Sequence, residues 1–246
     1  MKRYQFILIA CMLGLLSLTA TAQEKVLCIG NSFTYVHDAH KRLAEIAASQ
    51  GHPLEVKASY VGGYSLMRHL AFDQTLLAIQ QGDYDAVFLQ DQSQTPAYYG
   101  ESPKERRIVG ESAKLLAQMV RVYSVNPRIW VEQTWSYEGR EYGSFGSLER
   151  FDHLLHKGAK KMARKAHAKV SPIGEAFAIC RNERTDINLY DDDKVHQSAL
   201  GAYLKACVNY LLLFGEPFTP TVSDCDNDAE QADYLRHVAE RVVLGK

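Results

Sequence analysis

Residues 26–34 read Val-Leu-Cys-Ile-Gly-Asn-Ser-Phe-Thr, four apolar residues closed by a glycine and followed by a polar turn. A short apolar run bounded by turn residues reads as a buried strand. Gly30 permits a tight turn at its end, and the segment that follows, 39–49, has the spacing of an amphipathic helix. The same alternation recurs downstream. Residues 54–59, 86–89, 129–132 and 168–170 read as further strands. Residues 104–122, 148–166, 197–214 and 229–244 read as helices, with Ile108, Ser112, Leu116 and Met119 along one stripe and Leu148, Phe151, Leu155 and Met162 along another. Strands that alternate with helices imply parallel crossovers, and parallel sheets are covered on both faces. The expected fold is an α/β, three-layer α/β/α sandwich around a five-stranded parallel, flavodoxin-like sheet. Such sheets bind ligands beyond the carboxyl ends of their strands, where strand order reverses, so the turn at Ser32 stands where chemistry is expected.

The chain has 246 residues, 46% of them hydrophobic and 23% charged, and no linker, repeat or low-complexity run divides it. One domain, 23–246, is expected. Before it, Lys2 and Arg3 precede an apolar run over 6–18 and then Ala20-Thr21-Ala22, the pattern of a secretory signal cleaved after Ala22. The run is short for a permanent membrane span, so an exported protein, periplasmic or extracellular, is expected. Leu8-Ile9-Ala10-Cys11 also resembles a lipoprotein processing box, but it lies ahead of most of the apolar run. A net charge of −1 offers no field for nucleic acid or an anionic membrane, and the basic residues between Lys157 and Lys165 have the spacing of a solvated helix face. Cys28, Cys180, Cys207 and Cys225 fit no zinc spacing. Cys28 and Cys207 lie in apolar elements and read as buried thiols, whereas Cys180 and Cys225 are near element ends and could pair.

Taken alone, Ser32 reads as a helix cap, because serine and threonine are favoured there. The second reading is a nucleophile, exposed at the sheet edge beside backbone N–H groups. Near the other end of the chain, Asp193-Lys194-Val195-His196 precedes a helix. A serine hydroxyl needs a base, and an imidazole held by a carboxylate supplies one. Asp193, three residues before His196, can reach one ring nitrogen and leave the other to face the serine; Asp191 and Asp192 are alternatives.

Together these blocks resemble the SGNH (GDSL-like) hydrolase superfamily, with Gly30-Asn31-Ser32-Phe33-Thr34 as the serine block and Asp193 to His196 as the last one. Gly62-Gly63-Tyr64-Ser65 is similar to the block whose glycine N–H lines the oxyanion hole. The third block departs from the usual G-x-N-D, reading Leu89-Gln90-Asp91-Gln92-Ser93, so Gln92 stands in by register for the asparagine, with Gln90 as the fallback. Including Thr134-Trp135, the set looks most like an exported branch found in glycan-degrading bacteria. The resemblance implies catalysis by Ser32, Asp193 and His196, an oxyanion hole of Ser32, Gly63 and Gln92, and no metal or organic cofactor.

The implied activity is a serine esterase that removes O-acyl groups, acetyl above all, from a carbohydrate or glycoconjugate through an acyl-enzyme. The alternatives are a lipase or thioesterase of the same superfamily and a non-catalytic glycan- or anion-binding module. Implied partners are a small-molecule or glycan ester, with no nucleic acid and no stable membrane insertion. Trp135 and Tyr64 are expected to contact substrate, and Tyr35, Arg68 and His37 are further candidates for the pocket. Tyr98 and Tyr99 are expected in a loop that could act as a lid. His37 with His40, and His153 with His156, have helical spacing but no third metal ligand nearby.

Overall fold

Leu27, Ile29 and Val26 are fully buried and Cys28 nearly so, which only a central strand with cover on both faces achieves. In the computed structural model, which describes residues 23–137 and 142–245, this run is β1 (Glu24–Gly30), and the others are β2 (Leu54–Tyr60), β3 (Ala86–Leu89), β4 (Arg128–Glu132) and β5 (Lys169–Ser171). They form one all-parallel sheet in the order β2-β1-β3-β4-β5. Strand order therefore reverses between β1 and β3, beside the turn that carries Ser32. The expected signal segment and Cys11 lie outside the described residues.

The helices are α1 (Ser32–Tyr35), α2 (Ala39–Ser49), α3 (Leu66–His69), α4 (Asp73–Gln81), α5 (Thr95–Glu101), α6 (Arg107–Tyr123), α7 (Tyr142–Phe145), α8 (Leu148–Ala166), α9 (Ile173–Glu183), α10 (Ala199–Phe214) and α11 (Ala229–Leu244). Side chains alternate along β1: Val26 and Cys28 enter the core built by α2, α9, α10 and α11, while Leu27 and Ile29 enter that of α3, α4 and α6. The long helix α8 serves both, with Phe151 and Leu155 in the first core and Met162 and Ala166 in the second.

Three expectations are corrected. In α6, Ser112 and Leu116 of the expected stripe are buried and Met119 packs against the core, but Ile108 is 50% exposed, and Val109, Ala113 and Val120 complete the inward face instead. Tyr98 and Tyr99 belong to α5, where Pro96 occupies the first turn, a place in which its missing N–H costs nothing. They form no lid: Tyr99 is buried and Tyr98 packs on Phe145 at 5.1 Å. The four cysteines 28, 180, 207 and 225 are all buried free thiols, so Cys180 and Cys225 are not paired.

Candidate active site

The turn after β1 is built by contact from below. The side chain of Asn31 accepts the Phe33 N–H at 3.1 Å, so Asn31 caps α1. Ser32 is thereby relieved of the capping role that its sequence position suggested. Gln90 Oε1 accepts the Asn31 N–H at 2.9 Å and the Thr34 hydroxyl at 3.1 Å. Those oxygens leave no space at Gly30, where a Cβ would come within 2.3 Å of Thr34 Oγ1 and 2.5 Å of Gln90 Oε1. Asn31 Nδ2 donates to the carbonyls of Tyr64 at 2.8 Å and Asp91 at 3.3 Å, which joins the three loops that follow β1, β2 and β3.

Two buried polar chains hold the same turn. His69 Nε2 lies 2.8 Å from the Gly30 carbonyl and Nδ1 lies 2.7 Å from Thr75 Oγ1, itself 2.7 Å from Ser59 Oγ. A carbonyl can only accept, so His69 donates from Nε2; burial holds the ring below its ordinary pKa, and Nδ1 accepts from Thr75. On the other face, Lys205 Nζ donates to the Phe33 carbonyl at 2.9 Å and to Glu132 Oε2 at 2.6 Å. Glu132 Oε1 accepts from Asn209 at 2.9 Å, and Asn209 Oδ1 accepts from Ser171 at 2.7 Å. Sequence reading missed this network, although a lysine and an asparagine four apart in the apolar 199–214 segment were its visible sign.

His196 arrives on the loop before α10. Tyr190 and Gln197 form a β-bridge that closes this loop at its ends. Inside it, Asp193 Oδ1 accepts the N–H groups of Val195 and His196, each at 2.9 Å, and Oδ2 meets His196 Nδ1 at 2.5 Å. Burial opposes the charge of Asp193, but hydrogen bonds from the His196 ring and from these N–H groups outweigh it, holding the carboxyl below its usual range. Nε2 of His196 then lies 2.8 Å from Ser32 Oγ. The alternative carboxylate, Asp191, lies 2.9 Å from His37 Nε2 instead, which draws His37 to the base loop.

Ser32, His196, Gly63, Gln92 and Gln94 line one cavity of about 240 Å³. Asn31, Phe33 and Thr34 all donate their N–H groups to nearby acceptors, whereas those of Ser32 and Gly63 have none among the described residues. Gly63 has a φ of +70°, open to glycine at no steric cost. The third expected donor, Gln92, lines the cavity but is engaged within its own loop. Gln92 Nε2 donates to Gln94 Oε1 at 2.7 Å and to Ser93 Oγ at 3.1 Å, which occupies both its hydrogens. Gln90 Nε2 is likewise engaged, with the Asp91 carbonyl. Gln94 lines the same cavity. Its oxygen receives Gln92 Nε2, the Ser93 hydroxyl at 2.7 Å and the Tyr137 hydroxyl at 2.8 Å, and its nitrogen is left without an acceptor among the described residues.

Neither expected substrate contact reaches the cavity wall. Trp135 is 1% exposed and sandwiched between Phe33 at 4.1 Å and Phe177 at 4.3 Å, while its Nε1 donates to the Val195 carbonyl at 3.1 Å. Its large apolar area is better covered beneath the Ser32 turn than on the rim. The Tyr64 ring turns toward His69 and Phe72, both at 5.5 Å, under the Arg68 guanidinium. Tyr35 packs on Tyr60 at 4.9 Å. The two histidine pairs do not converge on a metal: His40 approaches the Thr34 carbonyl and His156 the Gln133 amide oxygen, and no group of three metal-ligating side chains forms among the described residues.

No protein-family model and no curated protein matches the chain. Solved structures do. A DUF4886 family protein from Bacteroides uniformis is similar with a TM-score of 0.73 at 19% identity, over 90% of this chain and 95% of that one. A protein from Slackia heliotrinireducens described as an SGNH hydrolase is similar with a TM-score of 0.64 at 23% identity, over 78% and 99%. An acetyl xylan esterase from Geobacillus stearothermophilus gives 0.56 at 17% identity, over 80% and 97%. At these identities the likeness is one of fold.

Proposed function

We propose that this chain, whose fold is that of the SGNH hydrolases, is a serine esterase that removes small O-acyl groups, acetyl above all, from a carbohydrate. The observation that carries the reading is the Ser32–His196–Asp193 relay, with contacts of 2.8 and 2.5 Å, opening on a cavity whose N–H groups are unspent. In the proposed reaction His196 Nε2 takes the Ser32 proton as Oγ attacks the ester carbonyl, and Asp193 fixes the ring tautomer. The tetrahedral oxyanion is met by the N–H groups of Ser32 and Gly63 and by the Gln94 amide. Collapse expels the alcohol, which takes its proton from His196. Water, deprotonated by the same nitrogen, then attacks the acyl-enzyme and releases the acid and free Ser32.

A cavity of about 240 Å³ is below the usual range for drug-sized ligands; it suits an acetyl group and favours that reading over a long-chain lipase. The carbohydrate side rests on the expected signal segment and on likeness of fold to an acetyl xylan esterase. Hydrolysis of p-nitrophenyl acetate by the protein, Ser32→Ala and His196→Ala tests the relay. Each substitution is expected to cut kcat by at least about 10³-fold. Equal rates in all three proteins would instead leave a binding module.

A further inference from the structure

A second cavity, of about 230 Å³, meets the first at Tyr137. Leu148 of α8, Arg181 of α9 and Asn188, Tyr190 and Lys194 complete its wall. Two cations, two phenols and an amide line it, and among the described residues no carboxylate does. Arg181 is fixed there, donating to Ser136 Oγ at 2.8 Å and Asp152 Oδ2 at 2.6 Å, so its charge is already met. Lys194 is different. Its backbone is held in the left-handed region, with φ 60°, by a turn whose N–H donates to the Asp191 carbonyl at 2.9 Å. Of the three carboxylates that precede it, Asp191 meets His37 and Asp193 meets His196, and Asp192 forms no ion pair with it. Its ammonium has no partner among the described residues, and a lysine kept in a conformation better suited to glycine or asparagine points to a use for its side chain.

Position decides which part of the substrate belongs here. The leaving alcohol must receive its proton from His196, so it departs on the side of the loop that carries His196 and, two residues earlier, Lys194. We propose that the second cavity receives the alcohol portion of the ester, and that it selects a sugar unit bearing a carboxylate, which Lys194 binds. The ring of such a sugar would lie among Tyr137, Tyr190 and Leu148, with Asn188 offering an amide to its hydroxyls. This proposal rests on the esterase reading above and names the substrate class for it.

The test uses two mono-O-acetylated methyl glycosides that differ only at C6, a glucuronoside and a glucoside, with released acetate measured for the protein, Lys194→Ala and Lys194→Glu. A single charge-assisted contact predicts a preference for the acidic ester of about tenfold in kcat/KM. Lys194→Ala should abolish that preference by raising KM for the glucuronoside, and Lys194→Glu should reverse it. The same acid-to-neutral ratio in all three proteins overturns the subsite. If p-nitrophenyl acetate is cleaved while that ratio stays fixed, only the subsite falls; if the protein cleaves no ester at all, the esterase reading falls with it.

Discussion

Three donors converge on the side-chain oxygen of Gln94, which leaves its nitrogen without an acceptor among the described residues. A preorganised N–H aimed at developing charge is worth more than one that must reorient, because the cost of ordering it is met before reaction. Gln94→Ala should therefore lower kcat by about 10²–10³-fold with little change in KM, the mark of an interaction made only in the transition state. Gln92→Ala removes one of the three anchors and should cost less. Steady-state kinetics on p-nitrophenyl acetate measures both; a larger loss at Gln92 than at Gln94 would restore the register assignment. The approach of Ser32, His196 and Asp193 to one another was readable in the sequence because each sits at a fixed offset from a strand or helix end. The placing of Gln94 was not. Its place depends on where the chain leaves β3 and on α5 starting at Thr95, and neither is written in hydrophobic periodicity.

The longer elements were legible for the same reason that they are stable. β3, α2, α8 and α11 begin and end where the apolar pattern does, and α10 shows no polar face because it is buried nearly all round. What stayed hidden were elements whose inward faces mix small residues with large ones, such as α5, with Pro96, Ala97 and Gly100 beside Tyr99, and α9, with Gly174 and Ala176 beside Ile173 and Phe177. The charged pair inside α10 and β4 was hidden too. Lys205 is 4% exposed and Glu132 3%, and removing one member of such a pair strands the other. Lys205→Met should destabilise the protein by about 3–5 kcal/mol in urea unfolding. Adding Glu132→Gln, which can still accept from Asn209, should recover most of that loss. The Phe33 carbonyl would remain without its cation, so kcat in the double variant should stay depressed while stability returns. Recovery of both together would mean that Lys205 serves stability alone.

The molecule as a whole also carries a pH-dependent strain at the sheet's carboxyl edge. Asp91 is 1% exposed, and burial pushes its carboxyl up from 3.8 to about 6 against the N–H groups of Gln92 and Leu66, which donate to it at 2.7 and 3.0 Å. A carboxyl raised on folding prefers its proton in the folded state. Its contribution is complete below about pH 4 and is lost as the pH rises through about 6. Asp91→Asn keeps an oxygen for both N–H groups and removes the charge, so the variant should exceed the parent at pH 7.5 by roughly 1–3 kcal/mol. That gap should close toward pH 4 in urea melts read at both values. A gap that does not change with pH would show that Asp91 is ionised at no cost. One side chain governs geometry on the same scale. Phe33, which follows Ser32, lies flat on Trp135, and Val195, which precedes His196, is hydrogen-bonded to the same indole. Ser32 and His196 are 164 residues apart in the chain, yet their spacing is gauged by a single ring. The intervening sequence is therefore free to lengthen, shorten or diverge without detuning the pair, provided position 135 keeps both its thickness and its donor.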